Sequence, residues 1–230
     1  MLHQCDTSRE WVELPTLFAP GVFVRATGNM AISVEPGAGG SQRGVATVRL
    51  REHAAGRRCA GQALRDAGSS DVHVGVAPDR RPIWPRGFVG SIAHSRSVAC
   101  AAVARCTQRR SLGIDAEPFF DMRAMKDAVP QILSQDEWRS MPRVGSTTFA
   151  TIVFSAKESL FKCLYPIARE FFDFQDALVE RVEPHCEVAG RFLIRLRRPL
   201  GREFGPDQVF QGRYALLGGH VHTGVEIVAR

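Results

Sequence analysis

The chain has 230 residues, of which 44% are hydrophobic and 23% are charged, and its formal net charge is +6 at pH 7. This length can bury one large core or two cores of about a hundred residues each, and the composition is typical of water-soluble globular proteins. The longest purely apolar run, residues 98–104, is too short to cross a bilayer, and the first residues lack the features of a signal peptide. We therefore expect no transmembrane segment and a cytoplasmic location.

Charge and cysteine content narrow the choice of partner and of metal. Residues 43–110 hold thirteen arginines against four acidic residues, a net charge of about +9. This excess favours an anionic partner, which could be nucleic acid, a phosphorylated small molecule or an acidic protein surface, although a solvated basic face would give the same composition. The six cysteines are scattered and contain no CxxC pair, so we expect reduced thiols and no cysteine-bound metal.

The first half of the chain predicts one helix between two loops. Residues 28–44 are rich in Gly, Ser and Pro, and residues 78–90 contain three prolines and two glycines, so both segments are predicted to be loops. Between them, small and apolar residues recur at helical spacing across residues 53–67, with arginines around them. The pattern predicts a basic helix that ends at Gly68.

Two predicted strands follow the second loop. A turn at the end of that loop presents the hydroxyl of Ser91 and the imidazole of His94. Residues 97–105 and 111–117 have the composition of strands, and the polar segment 107–110 lies between them. We therefore predict a hairpin.

The second of these strands carries a pair of carboxylates. Alternation puts Asp115 and Glu117 on one face, roughly 6.5 to 7 Å apart at Cα, while the opposite face is apolar. Two carboxylates in a packed environment repel each other, and a divalent cation relieves the repulsion. Oxygen ligands without thiolate or imidazole favour Mg²⁺, although solvated acids or an arginine-paired surface strand explain most such pairs.

The last third of the chain predicts a helix followed by strands. The helix covers residues 148–164 and is expected to stop before Pro166, because the residue preceding proline is disfavoured in a helix. Residues 179–188, 191–196 and 214–228 then form β-like segments interrupted by glycines. The mixture of helices and antiparallel strand pairs predicts an α+β fold.

The predicted helix carries an acid between two amines. The chain has only three lysines against 27 arginines, and two of them, Lys157 and Lys162, flank Glu158. A compact ammonium can contact one phosphate oxygen or move a proton, which favours a chemical role. Two alternatives remain: the lysines are there by chance, or Ser155 and Glu158 form a capping box in which the glutamate satisfies a backbone donor.

Together, these segments resemble a known family. The blocks look like the signatures of Sfp-type 4'-phosphopantetheinyl transferases, with the greatest likeness to the enterobactin synthase component D subgroup, and they cover roughly residues 45–180. One departure is Ala93, where the family usually has a hydroxyl residue; this affects a possible hydrogen bond near the loop and not the chemistry. The matching segments are residues 52–57, 84–94, 113–117, 154–162 and 172–177.

The resemblance implies both a fold and a reaction. The fold is α+β with two similar α/β subdomains related by a pseudo-twofold: residues 1–112 would grip the coenzyme A nucleotide, and residues 113–230 would carry the metal and catalytic residues, with the active site in the cleft between them. The reaction transfers the 4'-phosphopantetheine arm of coenzyme A to a serine of an apo acyl or peptidyl carrier protein and releases adenosine 3',5'-bisphosphate. Family members of this length usually act as monomers.

The resemblance also assigns residues. Asp115, Glu117 and Glu158 are the implied ligands of Mg²⁺, for which Mn²⁺ can substitute, and Glu158 is the candidate general base, directly or through a metal-bound water. The implied contacts to the diphosphate are Lys157 and Lys162. Together with Glu158 they are the implied catalytic residues. The implied contacts to the nucleotide are Arg57, Ser91 and His94 at the ribose phosphate and Arg80 beside the adenine.

A carrier surface and two competing functions complete the expectations. The carrier would land on apolar residues after the metal strand, unless these belong to the core: Phe119, Phe120, Met122 and Met125. A magnesium-dependent nuclease would also use clustered carboxylates, and a non-enzymatic nucleic-acid binder would explain the arginines. We favour the transferase, serving siderophore, other nonribosomal peptide or polyketide synthesis, with no nucleic-acid or membrane partner.

Overall fold

The protein folds into two main antiparallel sheets, each covered by a long helix. The computed structural model describes residues 11–28, 42–95, 97–143 and 145–229. The first half contains β1 (Val22–Gly28), α1 (Gln42–Asp66), β2 (Gly75–Val76), β3 (Pro82–Ile83), β4 (Phe88–His94) and β5 (Val98–Arg105). The second half contains β6 (Arg109–Pro118), α2 (Met122–Ile132), α3 (Gln135–Ser140), α4 (Ser146–Ala168), a 3₁₀ turn (Phe174–Asp176), β7 (Ala177–Cys186), β8 (Ala189–Leu196), β9 (Val209–Leu217) and β10 (His220–Val228).

The first sheet has the strand order β1-β5-β4, and α1 packs against it. The contact is made by small side chains such as Ala55, Cys59 and Ala63, which let the helix lie close to the strands. Gly68 ends the helix with φ +80°, and the N–H of Ser69 donates to the Leu64 carbonyl at 2.9 Å, so the predicted end is confirmed.

The start of α1 differs from the prediction. The helix begins at Gln42, eleven residues before the predicted start at residue 53. The prediction missed the first turns because they lack the small apolar stripe on which it rested. Within the predicted loop 28–44, residues 29–41 lie outside the described part of the chain, and 42–44 are helical. The predicted loop 78–90 contains β3 and reaches into β4.

The predicted hairpin between residues 97–105 and 111–117 is wrong. Strand β5 pairs with β1 and β4, whereas β6 pairs with β10 and forms the edge of the five-stranded sheet β6-β10-β9-β8-β7. The polar turn between them reverses the chain as predicted, but it carries the chain from one sheet to the other. A turn sequence indicates where the chain reverses, and the choice of partner strand depends on distant residues.

The two sheets share a core at β6. The apolar side chains of Leu112, Ile114 and Ala116 are fully buried and pack with Ala93 and the other small residues of the first sheet. The opposite face of β6 lies against α4. The acidic strand is therefore held between the two halves of the protein.

Helix α4 covers the other face of the five-stranded sheet and continues past the predicted end. It runs through Pro166 to Ala168 and stops at Arg169, which has φ +55°. A proline so close to the end of a helix removes one backbone hydrogen bond and leaves the earlier turns intact. The predicted C-terminal strands are confirmed, and residues 214–228 divide at the turn Gly218–Gly219, where both φ angles are positive.

The α+β class is confirmed, and each half has one long helix on an antiparallel sheet. The pseudo-twofold relation and the boundary at residue 112 remain predictions; residue 112 lies inside β6. Among the described residues, no two cysteines form a disulfide with each other. No described helix is both long enough and apolar enough to cross a membrane.

Candidate active site

Gly113 lets the acidic strand lie directly against α4. A Cβ atom at this position would stand 1.8 Å from the Ser159 carbonyl oxygen and 2.8 Å from the Cys163 backbone nitrogen. No other residue fits such an approach without moving the helix. Because Asp115 lies two residues further on the same face of β6, its side chain meets α4 as well.

Asp115 is the centre of the contact between strand and helix. It is only 2% exposed, and its Oδ1 accepts a 2.6 Å hydrogen bond from Lys162 Nζ. Its Oδ2 accepts a 2.8 Å hydrogen bond from Ser155 Oγ, which also lies 2.8 Å from Thr223 Oγ1 on β10. Ser155 is an interior residue of α4, so the alternative capping box with Glu158 is excluded.

Two further carboxylates lie within electrostatic reach of Asp115. Burial, reinforced by the charges of Asp115 and Glu158, raises the pKa of Glu117 to about 8 although Lys162 opposes the shift. Burial also raises the pKa of Glu158, with Asp115 adding to the effect and Lys162 opposing it. The pKa of Lys162 is itself raised: burial disfavours its charge, but Asp115 and Glu158 outweigh that cost.

The chemistry of this group fits a hard dication. Three carboxylates share the single ammonium of Lys162, so the group carries excess negative charge when the acids are ionised. The atoms that these carboxylates offer to a metal are all oxygens, which hard dications prefer. Among the residues that the structure describes, no three Asp, Glu, His or Cys side chains are already arranged as a metal site. Asp115 is engaged by Lys162 and Ser155 instead, so binding of an ion requires rearrangement of these side chains.

Lys157 lies apart from this group, contrary to expectation. Its ammonium is buried and donates to Glu137 Oε2 at 2.8 Å and to the carbonyls of Ile132 and Phe174 at 2.9 and 2.8 Å. These three bonds use all of its donors. A diphosphate contact from Lys157 is therefore not available in this geometry, whereas the Lys162 side chain is 27% exposed.

Two residues assigned to the nucleotide have partners of their own. Ser91 is 3% exposed, and its Oγ accepts a 3.1 Å hydrogen bond from the Ile114 N–H. It therefore joins β4 to β6, and its hydroxyl is not accessible to the ribose phosphate that was expected to bind it. Arg57 is half-buried, and one of its terminal nitrogens donates to the carbonyls of Val74 and Gly75. Arg57 therefore holds the segment before β2 to α1.

The other two nucleotide residues are accessible. His94 lies at the end of β4 with a 37% exposed side chain, and its Nδ1 is 3.8 Å from Glu52 Oε2. Burial lowers the pKa of His94. The charge of Lys162 adds to this shift and that of Asp115 opposes it, so both side chains are close enough to act on the imidazole. Arg80 is exposed on its loop and has φ +66°. The structure thus places His94 near the acidic group.

The four apolar residues of the predicted carrier surface divide into two pairs. Phe119 and Met122 are exposed, at 38% and 75%. Phe120 is partly buried with its ring 5.6 Å from that of Phe154, and Met125 belongs to the core. Core packing thus explains the second pair and leaves the first pair available.

Sequence reasoning missed the contacts that three residues make around the site. The hydroxyl of Ser155 on α4 binds Asp115 and also contacts the hydroxyl of Thr223 on β10. Glu137 binds Lys157. The sequence did contain one signal: Ser134 and Glu137 have capping-box spacing, and the structure confirms that box at the start of α3. Nothing in that spacing points to the lysine on another helix.

Comparison with known proteins identifies the family of the chain. Residues 42–104 match the model of the 4'-phosphopantetheinyl transferase N-terminal domain, and residues 111–214 match that of the 4'-phosphopantetheinyl transferase superfamily. The chain is 37% identical to the 4'-phosphopantetheinyl transferase Svp of Streptomyces mobaraensis over 79% of this chain and 73% of the relative. It is 31% identical to Npt of Nocardia iowensis over 77% and 82% of the two chains.

A third relative represents the subgroup seen in the sequence. Enterobactin synthase component D of Salmonella typhi is 37% identical over 123 residues, which are 52% of this chain and 50% of the relative. The two family models together cover both long helices and most of the strands, while β1 and β10 lie outside the matched ranges. The chain belongs to the 4'-phosphopantetheinyl transferase superfamily.

Proposed function

We propose that this protein transfers the 4'-phosphopantetheine arm of coenzyme A to a serine hydroxyl of an apo carrier protein. The serine oxygen forms a bond to the phosphorus that bears the pantetheine arm, and the bond from that phosphorus to the oxygen of the nucleotide half breaks. Adenosine 3',5'-bisphosphate leaves, and the serine proton passes to a base. The observation that carries this proposal is the group of Asp115, Glu117, Glu158 and Lys162 in a chain of this family.

The acidic group is the proposed site of a divalent cation. Asp115, Glu117 and Glu158 would hold Mg²⁺, or Mn²⁺ in its place, because they supply the hard oxygen atoms that these ions prefer. When bound, the ion would neutralise charge on the diphosphate as a Lewis acid. Lys162 already pairs with Asp115 and is partly exposed, so its ammonium is placed to share a diphosphate oxygen.

Glu158 is the proposed general base. It is half-buried on the same stretch of α4 as Lys162, one helical turn before it. From this side of the helix a carboxylate can accept the serine proton, provided that the carrier enters over α4. We do not propose Lys157 as a diphosphate contact, because its three donors are bound to protein oxygens.

The nucleotide half of coenzyme A is proposed to bind against the first sheet. His94 lies beside α1 there, because Gly56 lets the helix approach β4 so closely that a Cβ would stand 2.7 Å from Ile92 Cγ2 and 3.7 Å from His94 Cδ2. Arg57 is the next residue on α1. Both side chains keep donors for a ribose phosphate. Arg80, exposed on the neighbouring loop, is the proposed contact to the adenine. We do not include Ser91 among these contacts, because its hydroxyl is buried and bound to the Ile114 N–H.

The carrier protein is proposed to dock on the start of α2. Phe119 and Met122 expose apolar surface immediately after the acidic strand, and Arg123 and Lys126 are exposed beside them. Apolar groups with basic neighbours complement the acidic, partly apolar helix that carrier proteins of this class present. We propose a monomer in the cytoplasm that serves siderophore, other nonribosomal peptide or polyketide synthesis, without nucleic-acid or membrane partners.

The proposal is tested by incubating the protein with coenzyme A, Mg²⁺ and a small panel of apo carrier proteins. The intact mass of the correct carrier is expected to rise by one phosphopantetheine group, attached to one serine, and EDTA is expected to prevent the change. Unchanged mass for every carrier, together with salt-sensitive retention of the protein on DNA, would favour the nucleic-acid binder instead.

A further inference from the structure

A buried ion pair lies behind the proposed active site. Lys157 Nζ is 2.8 Å from Glu137 Oε2, and the two side chains are 1% and 0% exposed. Burying two charges is costly unless every hydrogen-bonding group is satisfied, so a pair of this kind is weak evidence for stability alone. The backbone groups that the pair contacts indicate a role besides stability.

The pair is completely satisfied and joins several segments of the second half. Lys157 also donates to the carbonyl of Ile132 at the end of α2 and to that of Phe174 in the 3₁₀ turn. Glu137 accepts 2.7 Å hydrogen bonds from the N–H of Ser134 and, through its other oxygen, from the N–H of Val179 on β7. Helix α4 is thus tied through one lysine to α2, α3 and β7.

The lysine is adjacent in sequence to the proposed base. Successive residues on a helix point about 100° apart, so the direction of Lys157 fixes that of Glu158. Where α4 meets β6, Ser155 and Lys162 bind the two oxygens of Asp115. Rotation of α4 about its axis would break both sets of bonds at once.

We propose that Glu137 is a positioning residue: through Lys157 it fixes the rotation of α4 and thereby the direction of Glu158 toward the acidic group. The inference rests on the proposed function and explains why a lysine of the signature segment is buried away from the cleft. Its consequence is that Glu137, which cannot reach a substrate, controls metal affinity and turnover. Partners that orient metal ligands in this way typically affect affinity or activity by about 10- to 100-fold.

The test compares Glu137→Gln with the wild-type protein in two measurements. Binding of Mn²⁺, followed by electron paramagnetic resonance without substrates, is expected to weaken by about 10-fold or more. In the transfer assay, kcat is expected to fall by a similar factor while KM for coenzyme A stays within about 2-fold, because the nucleotide residues are untouched. Glu180→Gln is the matched control, since Glu180 forms an exposed ion pair with Arg195, and wild-type values are expected for it.

A double variant separates the loss of positioning from the burial of an unpaired charge. Glu137→Leu combined with Lys157→Met replaces the ion pair by apolar groups of similar size, so neither charge is left buried without its partner. The backbone groups of Ser134, Val179, Ile132 and Phe174 lose a hydrogen-bond partner, so we expect a lower melting temperature, with Mn²⁺ affinity and kcat of the folded variant reduced by about 10-fold. This variant also decides the matter if Glu137→Gln fails to fold.

The inference is overturned if either folded variant binds Mn²⁺ and turns over like the wild type. It is also overturned if Lys157→Met raises only KM for coenzyme A while Glu137→Gln has no effect, since that result indicates a direct coenzyme contact. A wild-type protein that labels no carrier would defeat the proposed function, whereas a labelling-competent wild type with a silent Glu137→Gln defeats this inference alone.

Discussion

The hydroxyl of Tyr165, near the end of α4, lies 3.5 Å from the carboxylate of Asp79 on the loop that carries Arg80. Arg169 reaches the same carboxylate at 3.5 Å, and Arg81 donates to it from within the loop at 3.1 Å. The loop proposed to contact the adenine is therefore connected to the helix that carries the proposed base. This connection links the first half of the protein to the second.

Replacing Asp79 by alanine is expected to weaken coenzyme A binding. The carboxylate is partly exposed and ion pairs of this kind are weak, so KM for coenzyme A should rise only by up to about 5-fold, with kcat nearly unchanged. Steady-state kinetics with a saturating carrier measures both constants. Asp71→Ala, at an exposed acid earlier in the first half, serves as the control, and an equal effect of the two variants would contradict the connection.

Replacing Gly113 by alanine is expected to damage both stability and activity. The new Cβ meets backbone atoms of Ser159 and Cys163, which cannot move aside as a side chain can. Overpacking of this kind typically costs 1–3 kcal/mol, on the order of the larger value here. Urea unfolding and the transfer assay measure the two losses. Gly205→Ala, where the added carbon meets nothing within 4 Å, should leave both unchanged.

Asp115→Asn is expected to abolish most transfer while the protein remains folded. The change removes a charged ligand and the ion pair with Lys162 but keeps the volume of the side chain. We expect kcat to fall by about 100-fold or more, with a loss of about 1 kcal/mol in the free energy of unfolding. Glu187→Gln, an exposed acid between β7 and β8, is the control. Transfer at the wild-type rate would remove Asp115 from the ligand set.

Met122→Asp is expected to impair docking of the carrier without affecting coenzyme A. The residue is 75% exposed at the start of α2, so the fold should tolerate the change, while the new charge repels an acidic partner. KM for the carrier should rise by about 10-fold, as for loss of a buried interface contact worth roughly 1.4 kcal/mol. Val228→Asp, exposed at the end of β10, tests for a general effect of added charge. Equal behaviour of the two variants would place the docking surface elsewhere.

His222 is expected to make the protein less stable as the pH falls. Burial, with His220 adding to the effect, lowers the pKa of this side chain to about 4, although the Leu217 carbonyl and Asp115 oppose the shift. Between about pH 6.5 and 4 the unfolded chain therefore binds a proton that the folded protein does not. The free energy of unfolding falls across this range by up to about 3 kcal/mol and is unaffected by His222 above it.

Urea unfolding of the wild type and His222→Gln at several pH values isolates this contribution. The difference in unfolding free energy between the two proteins cancels the titration of all other groups that both retain. We expect the stability of the variant to depend less on pH between about 6.5 and 4. Parallel curves for the two proteins would show that His222 is protonated equally in both states.

Local patterns predicted the two long helices and the acidic strand, but not the start of α1, the end of α4 or the short helices α2 and α3. The small apolar stripe of α1 and the alternation around Asp115 depend on neighbouring residues, and both appear in the structure as predicted. The pairing of β5 and β6 could not be predicted in the same way, because a polar turn is compatible with a hairpin and with a crossing between sheets. Residues far along the chain, in β10, decide the partner of β6.

The site was predictable in composition but only partly in geometry. The signature segment supplied Glu158 and Lys162, which lie one turn apart and share a face. Lys157 is one position out of phase with them, so helical spacing already indicated a different direction for its side chain. Its partner Glu137 came from a separate helix, and the burial of Ser91 depended on the packing of two sheets.

The most direct measurement of the central claim is the product balance of the reaction with coenzyme A, Mg²⁺ and a matched apo carrier. The account predicts one adenosine 3',5'-bisphosphate released for each phosphopantetheine group attached to the carrier, and neither product with Glu158→Gln. Carrier labelling at the wild-type rate by Glu158→Gln, or labelling without release of the nucleotide, would contradict it.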